Sequence, residues 1–359
     1  MGETVFVIVL LSRLLVPLAI PRFPIPAILA ALVIDAADQT IFDAFDAEPA
    51  NYQGYDKALD IYYLTIAYIS TIRNWTDGFA FRTGQFLWYY RLVGVVAFEL
   101  TDVRALLLIF PNTFEYFFIF YEGVRLLWNP HRLSHRNILL AAGGIWIFIK
   151  LPQEWWIHIA QLDFTDFMED YPFMWGILGA LVVAALVTLW VLRDRIPTPD
   201  WPLTFDVDKT QTTVASESAD KPWGKWALLN HPLFEKAALV SLVTIIFVQI
   251  LPDVDAGVVR TTIAVTIVVV VNAFLGYWLA ARGTRWNHAL TEFLGMAAIN
   301  TGIVAVAWLL LRRSDEPLVV DQTLFLIALL TLIVTLYDRY RLLRLPTASR
   351  IPGRPRVSP

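Results

Sequence analysis

Four aspartates stand in or beside two consecutive apolar segments: Asp35 and Asp38 in PAILAALVIDAADQTIF, and Asp56 and Asp60 in YDKALDIYYLTIAYI. A charged side chain at the centre of a bilayer costs about 2.5–3.5 kcal/mol even on insertion scales, so such residues face a bundle interior or a wet cavity and mark a functional site. Asp35, Asp38 and Gln39 are spaced i, i+3, i+4 and share one face of a helix. At 1.5 Å per residue from an inner end near Ile25, Asp35 falls about 15 Å deep and Asp38 a turn further out. The next segment runs the opposite way. It starts with Asp56 and Asp60 one turn apart, so Asp38 and Asp60 are expected to approach one another, with Tyr63 and Thr65 continuing down the same span.

Three kinds of chemistry suit this group. Carboxylates paired in a low dielectric hold a proton because they cannot all ionise, which suits a relay or cation-coupled transport. Carboxylates with Gln39 also offer all-oxygen ligation to a hard cation such as Mg²⁺, with Asp35, Asp38 and Asp60 as ligands. That metal would serve an enzyme acting on a lipid- or polyprenyl-linked substrate. The spacings D-x-x-D and Y-D-x-x-x-D are similar to the aspartate motifs of membrane prenyltransferases; in that family the motifs lie on separate helical repeats, whereas here they are consecutive, and no asparagine precedes Asp35. The third reading is structural: the acids pair with arginines and lock helices together, as in a subunit of a membrane complex. Arg91, in LWYYRLVGV, and Glu115, in PNTFEYFFIF, are the expected partners, as Arg91–Glu115 or Arg91–Asp35. Glu122 and Arg125 form an i, i+3 pair, and Pro111 predicts a bend just before Glu115.

A second polar group lies in KLPQEWWIHIAQLDFTDFMED. If Pro152 opens a short helix, Lys150, Glu154, His158 and Gln161 fall on one face and Trp155, Ile159 and Leu162 on the other. This predicts an amphipathic helix on the outer leaflet with Glu154 and His158 on its solvated side, where they are outer-face candidates for an acid–base or metal pair. One His and one Glu are too few ligands for a closed metal site.

The elements that must position these groups are membrane helices. The chain has 359 residues, 57% of them hydrophobic and 17% charged, with a mean hydropathy of +0.56. Soluble domains carry about 25% charge. The fold class predicted is an all-α polytopic integral membrane bundle of about eleven spans, in the range 9–11. The apolar runs are 4–20, 25–42, 58–72, 84–100, 104–128, 137–151, 173–192, 233–251, 258–280, 288–311 and 321–337. The first reads as a retained span, because no basic leader precedes it. Residues 1–195 form an amino-terminal bundle of about seven spans carrying the intramembrane carboxylates. Residues 196–232 read as a polar, disordered cytoplasmic linker, 233–340 as a four-span bundle and 341–359 as a basic cytoplasmic tail.

Basic connections at Arg73 and Arg82, Arg132 and Arg136, and Arg282 and Arg285 alternate with acidic ones, which predicts the amino terminus outside, the carboxyl terminus in the cytoplasm, and a plasma-membrane location. The tail arginines suit anionic lipid. Nothing supports nucleic-acid binding. There is no cysteine, and no nucleotide loop, G-x-S-x-G elbow or paired-histidine motif. The function expected is movement of a small cation, a proton or a proton-coupled solute.

Overall fold

The computed structural model describes residues 2–45, 52–162, 164–195, 197–207, 231–250, 294–302 and 320–344. It is all-α, with no strand among the described residues. The expected spans at 258–280 and most of 288–311, and the basic tail beyond Arg344, lie outside them. One described helix, over Pro24–Phe42, is long and apolar enough to cross a bilayer; Thr4–Ala19, Met174–Thr188 and Ile327–Asp338 are shorter apolar helical stretches.

The chain divides into two compact units, Met1–Phe81 with Phe205–Pro359, and Arg82–Thr204. The first contains α1 (Gly2–Leu15), α2 (Pro24–Phe45), α3 (Tyr52–Asn74), α11 (His231–Ile250), α12 (294–302) and α13 (Val320–Arg344). Helix α3 is its centre. From Ala58 to Ile72 every side chain but the partly exposed Asp60 is buried, as an element apolar on all sides requires. Its serine and threonine hydroxyls turn back on their own helix: Thr65 Oγ1 donates to Ile61 O at 2.6 Å and Ser70 Oγ to Ala67 O at 2.7 Å. Helices α1, α2, α11 and α13 pack around it, so the late helices surround the one that carries Asp60.

Helices α1 and α2 make a hairpin through a 3₁₀ turn, Val16–Ala19, and the residues around Pro21. Pro24 and Pro26 sit in the first turn of α2, where their missing N–H groups cost no helical bond. The turn is clamped from the end of α3, where Arg73 Nη1 and Asn74 Nδ2 both donate to Pro21 O, the latter at 3.1 Å. Val9, Arg13, Pro17 and Ile20 form the buried stripe of the α1 side, and Phe6 meets Phe42 with ring centroids 6.0 Å apart.

Helix α4 (Gly78–Thr101) begins in the first unit and continues into the second. The second unit adds α5 (Ala105–Ile109), α6 (Thr113–Leu127), α7 (His135–Gly144), α8 (Leu151–Glu154), α9 (Phe164–Asp170) and α10 (Met174–Leu192). The span expected over 104–128 is broken in two. Pro111 drives the preceding Phe110 out of the helical region, to φ −109° and ψ 64°. The boundary expected at Leu151 is absent. Helix α7 continues through a π-helical segment, Ile145–Lys150, then α8, then a second π-helical segment, Trp155–Ile159. Pro152 lacks an N–H, and the turns on either side are the widened ones. Ser134 caps this long element, its Oγ accepting from Asn137 N at 3.2 Å. Ser134→Ala is expected to cost about 1 kcal/mol, read as a lower thermal midpoint of the purified protein.

Part of the linker expected over 196–232 is tied down. Asp200 Oδ2 accepts from Asn129 N at 2.8 Å and Oδ1 pairs with Arg132 at 2.6 Å. Trp201 Nε1 donates to the carbonyls of Arg125 and Leu126, both at 3.2 Å, which would otherwise be orphaned at the end of α6. Residues 208–230 lie outside the described residues.

Candidate functional site

In the first unit four aspartates converge on one arginine, which interrupts the apolar run 4–20. Arg13, in the last turn of α1, has a side chain 5% exposed. Its Nη1 donates to Asp38 and, at 2.7 Å, to Asp56; its Nη2 donates to Asp35 and, at 2.8 Å, to Asp60. The i, i+3 spacing on α2 delivers Asp35 and Asp38, and the i, i+4 spacing on α3 delivers Asp56 and Asp60, so two faces close on the guanidinium from two helices. Tyr62 OH donates to Leu14 O at 2.9 Å and pins the end of α1 beside them.

Burial is graded across the group. Asp38 is 1% exposed, Asp35 26%, Asp56 34% and Asp60 40%. The formal charge is four negatives against one positive. One carboxylate oxygen from each of Asp35, Asp38 and Asp56 lies within 4.8 Å of the others, so Asp56 joins Asp35 and Asp38 in this trio where Asp60 was expected. An all-oxygen set at this spacing fits the ligand chemistry of Mg²⁺ or Ca²⁺, with the Arg13 guanidinium as a tethered competitor for the same oxygens. Gln39 is exposed on α2 and Tyr63 is buried in α3.

Asp56 stands two residues ahead of the point where the apolar run of α3 begins. Burial pushes its carboxyl above the ordinary range; the hydrogen bond and charge of Arg13 pull it back only in part, and Asp35 and Asp38 add to the rise.

Arg91 and Glu115 belong to the second unit, and neither pairing expected for Arg91 is the one formed. Arg91 Nη1 donates to Phe110 O at 3.0 Å, the carbonyl freed by the break before Pro111, and lies 3.6 Å from Glu154 Oε1. Glu115 Oε2 instead accepts from Asn112 Nδ2 at 2.9 Å and from Lys150 Nζ at 3.3 Å. Lys150 also stands 4.0 Å from the Tyr116 ring centroid. Glu154 Oε1 accepts from Asn112 N at 2.9 Å, and its Oε2 lies 3.0 Å from His158 Nε2. The expected Glu122–Arg125 pair is present at 2.7 Å.

The amphipathic element expected on the outer surface is turned inside out. Lys150 is 3% exposed and Glu154 4%, while Trp155 is 49% and Ile159 42% exposed. The wide π turns bring residues four apart almost into line, and Lys150, Glu154 and His158 form one inward column. The sequence signal for this was the pair of acids and bases from separate segments, Arg91 with Glu115 and Lys150 with Glu154. For Arg13 the signal was a lone cation in an apolar run next to four carboxylates. Comparison with protein-family models, curated proteins and solved structures finds no match for this chain.

Proposed function

We propose that this chain is a polytopic membrane protein of about eleven spans that moves a small cation, a proton or a proton-coupled solute by way of the Arg13–aspartate site. The observation that carries the reading is the charge count. A helix-locking ion pair needs one carboxylate per cation, but here four carboxylates meet one guanidinium and the innermost is 1% exposed. Surplus negative charge in such surroundings is relieved by protons or by a bound cation.

The membrane part rests on inverted amphipathicity. Lys150 and Glu154 point inward while Trp155, Ile157 and Ile159 point out. Helix α10 carries no charged residue and exposes Trp175, Leu178, Leu181, Val182, Val183 and Leu186 around its circumference. Trp190 stacks beneath Arg193, 4.9 Å from ring centroid to guanidinium, at one end, the arrangement of an interfacial anchor. In this reading the amino terminus lies outside, the tail lies in the cytoplasm against anionic lipid, and the membrane is the plasma membrane.

A second reading is favoured by the trio of carboxylate oxygens within 4.8 Å: an intramembrane enzyme on a lipid- or polyprenyl-linked substrate, with the carboxylates holding a divalent ion. The test is thermal stability of the detergent-purified chain across pH and a divalent-cation panel, for the parent and for Asp38→Asn/Asp60→Asn. A pH-dependent midpoint that the variant flattens supports proton handling. A rise specific to one divalent ion, lost in the variant, moves the reading to the metal. A variant as stable as the parent, with no response to pH or cation, overturns both and leaves a structural subunit of a membrane complex.

Asp56 fixes the sign of one arm. A carboxyl whose folded value is raised contributes stability that is fully present below its unfolded range and is lost as pH rises through the raised value. The parent is therefore expected to lose thermal stability as pH climbs from below about 4, and Asp56→Asn to reduce that slope. A midpoint that rises over the same interval with an unchanged slope in Asp56→Asn would contradict it.

A further inference from the structure

Between α4 and α6 the chain leaves the helical path twice in quick succession. Asp102 takes a left-handed φ of 55°, a conformation costly for a residue with a side chain, and Phe110 and Asn112 take ψ values of 64° and 63°. Between the two breaks lies a strap, residues 103–110, whose middle is the five-residue α5. Its own backbone bonds are weak support: Leu106 N and Leu107 N donate to Val103 O and Arg104 O, both at 3.0 Å, and Phe110 N to Leu106 O at 2.9 Å, in a helix too short to be stable by itself. Packing adds little. Val103 is 49% and Ile109 52% exposed, and Leu107 is the one buried side chain of the strap. Phe110, half-buried, rests on Gly94, where a Cβ would meet its ring.

The strap is held by polar ties from other elements. From α4, Tyr90 OH donates to Ile109 O and Arg91 Nη1 to Phe110 O, both at 3.0 Å. From α8, Glu154 Oε1 accepts from Asn112 N at 2.9 Å. Further along, Gln161, its amide oxygen turned toward α5, accepts from Arg104 Nε at 3.2 Å. Arg91 and Glu154 are themselves 3.6 Å apart. One ion pair therefore grips the break from both sides, its cation on the last carbonyl before Pro111 and its anion on the first N–H after it. Helix α5 lies against α8 and Trp155–Ile159, the element that carries the buried Lys150 and Glu154.

We propose that residues 103–110 form a gate over the Lys150–Glu154 column, hinged at Asp102 and latched at the Phe110–Asn112 break by the Arg91–Glu154 pair. Local opening takes place where few apolar contacts are lost and backbone bonds lie near solvent. The strap meets both conditions, whereas α6 beyond it, with Phe114, Phe117, Phe118 and Tyr121 all buried, does not. Release of Phe110 O and Asn112 N frees the end of the strap that continues into α6, and the swing about Asp102 draws Leu107 out of its buried position. The gate uses neither Arg13 nor the aspartates and stands or falls separately from the function proposed above.

The chain has no cysteine, so a single introduced thiol reports the opening. In the full chain in detergent, Leu107→Cys and, as a control buried elsewhere in the same unit, Ala142→Cys are reacted with N-ethylmaleimide, each rate referred to that of the same variant unfolded. Leu107→Cys is expected to react severalfold faster than Ala142→Cys. Adding Arg91→Met/Glu154→Met, which removes one cation and one anion together and so leaves the charge of the cluster balanced, is expected to speed Leu107→Cys by at least about tenfold and to leave Ala142→Cys unchanged. Tyr90→Phe, which removes a single hydroxyl, keeps the gate testable if the double latch variant does not fold, and is expected to speed Leu107→Cys severalfold. Equal rates for Leu107→Cys and Ala142→Cys without latch changes, latch changes that speed both thiols alike, or latch changes that speed neither would overturn the proposal.

Discussion

Arg13→Met is expected to destabilise the protein by about 3–5 kcal/mol at neutral pH, the scale for removing one partner of a buried ion pair. The methionine fills similar volume, so the loss is electrostatic. Asp35, Asp38, Asp56 and Asp60 would remain gathered without the guanidinium that they share. Native stabilities are about 5–15 kcal/mol, so the variant would retain little margin. Thermal unfolding of the detergent-purified protein reads the effect directly. Removing charge from the other side should rescue it: Arg13→Met with Asp38→Asn/Asp60→Asn is expected to lose much less than the sum of its parts, because contacting groups couple strongly. Additive losses, or an Arg13→Met protein as stable as the parent at pH 7, would mean that Arg13 does not hold the aspartates.

Gly94→Val is expected to be the most disruptive change in the second unit. A Cβ at Gly94 would lie 2.1 Å from Phe110 Cβ and 2.5 Å from its Cγ, closer than any packing allows. Phe110 cannot easily move aside. Its carbonyl holds Arg91, and its ring packs 4.5 Å from that of Tyr90, which in turn lies 5.1 Å from Trp146. Overpacking of this kind costs about 1–3 kcal/mol or more. Gly94→Ala/Phe110→Ala should recover part of the loss by opening the space the methyl needs. Equal thermal midpoints for Gly94→Val and the parent would show that α4 and the α5–α6 break do not approach as closely as described.

How much of this was legible in the sequence differs between the two sites. On α2 and α3 the helical spacing by itself gathers Asp35 with Asp38 and Asp56 with Asp60, because i, i+3 and i, i+4 neighbours share a face whatever the helix packs against. Their common partner was not legible. Arg13 is 22 residues from Asp35 and 47 from Asp60, and only the α1–α2 hairpin and the central place of α3 bring it among them. In the second unit the bend at Pro111 followed from proline chemistry. The direction of the Lys150–Glu154–His158 face did not, since periodicity identifies two faces of a helix and is silent on which of them turns inward.

By itself, then, the sequence determined the helical character of the chain, the breaking effect of Pro111 and the grouping of acids on single helix faces, all of which are local consequences of composition, backbone sterics and a 3.6-residue repeat. The tertiary structure alone decided which cation each acid meets. Arg13 rather than Arg91 holds the aspartates, Lys150 rather than Arg91 holds Glu115, and Glu154 is buried rather than solvated. The physical reason is that a buried charge selects its partner by distance across elements, and that distance is fixed by how helices far apart in sequence pack together, which no spacing along one helix encodes.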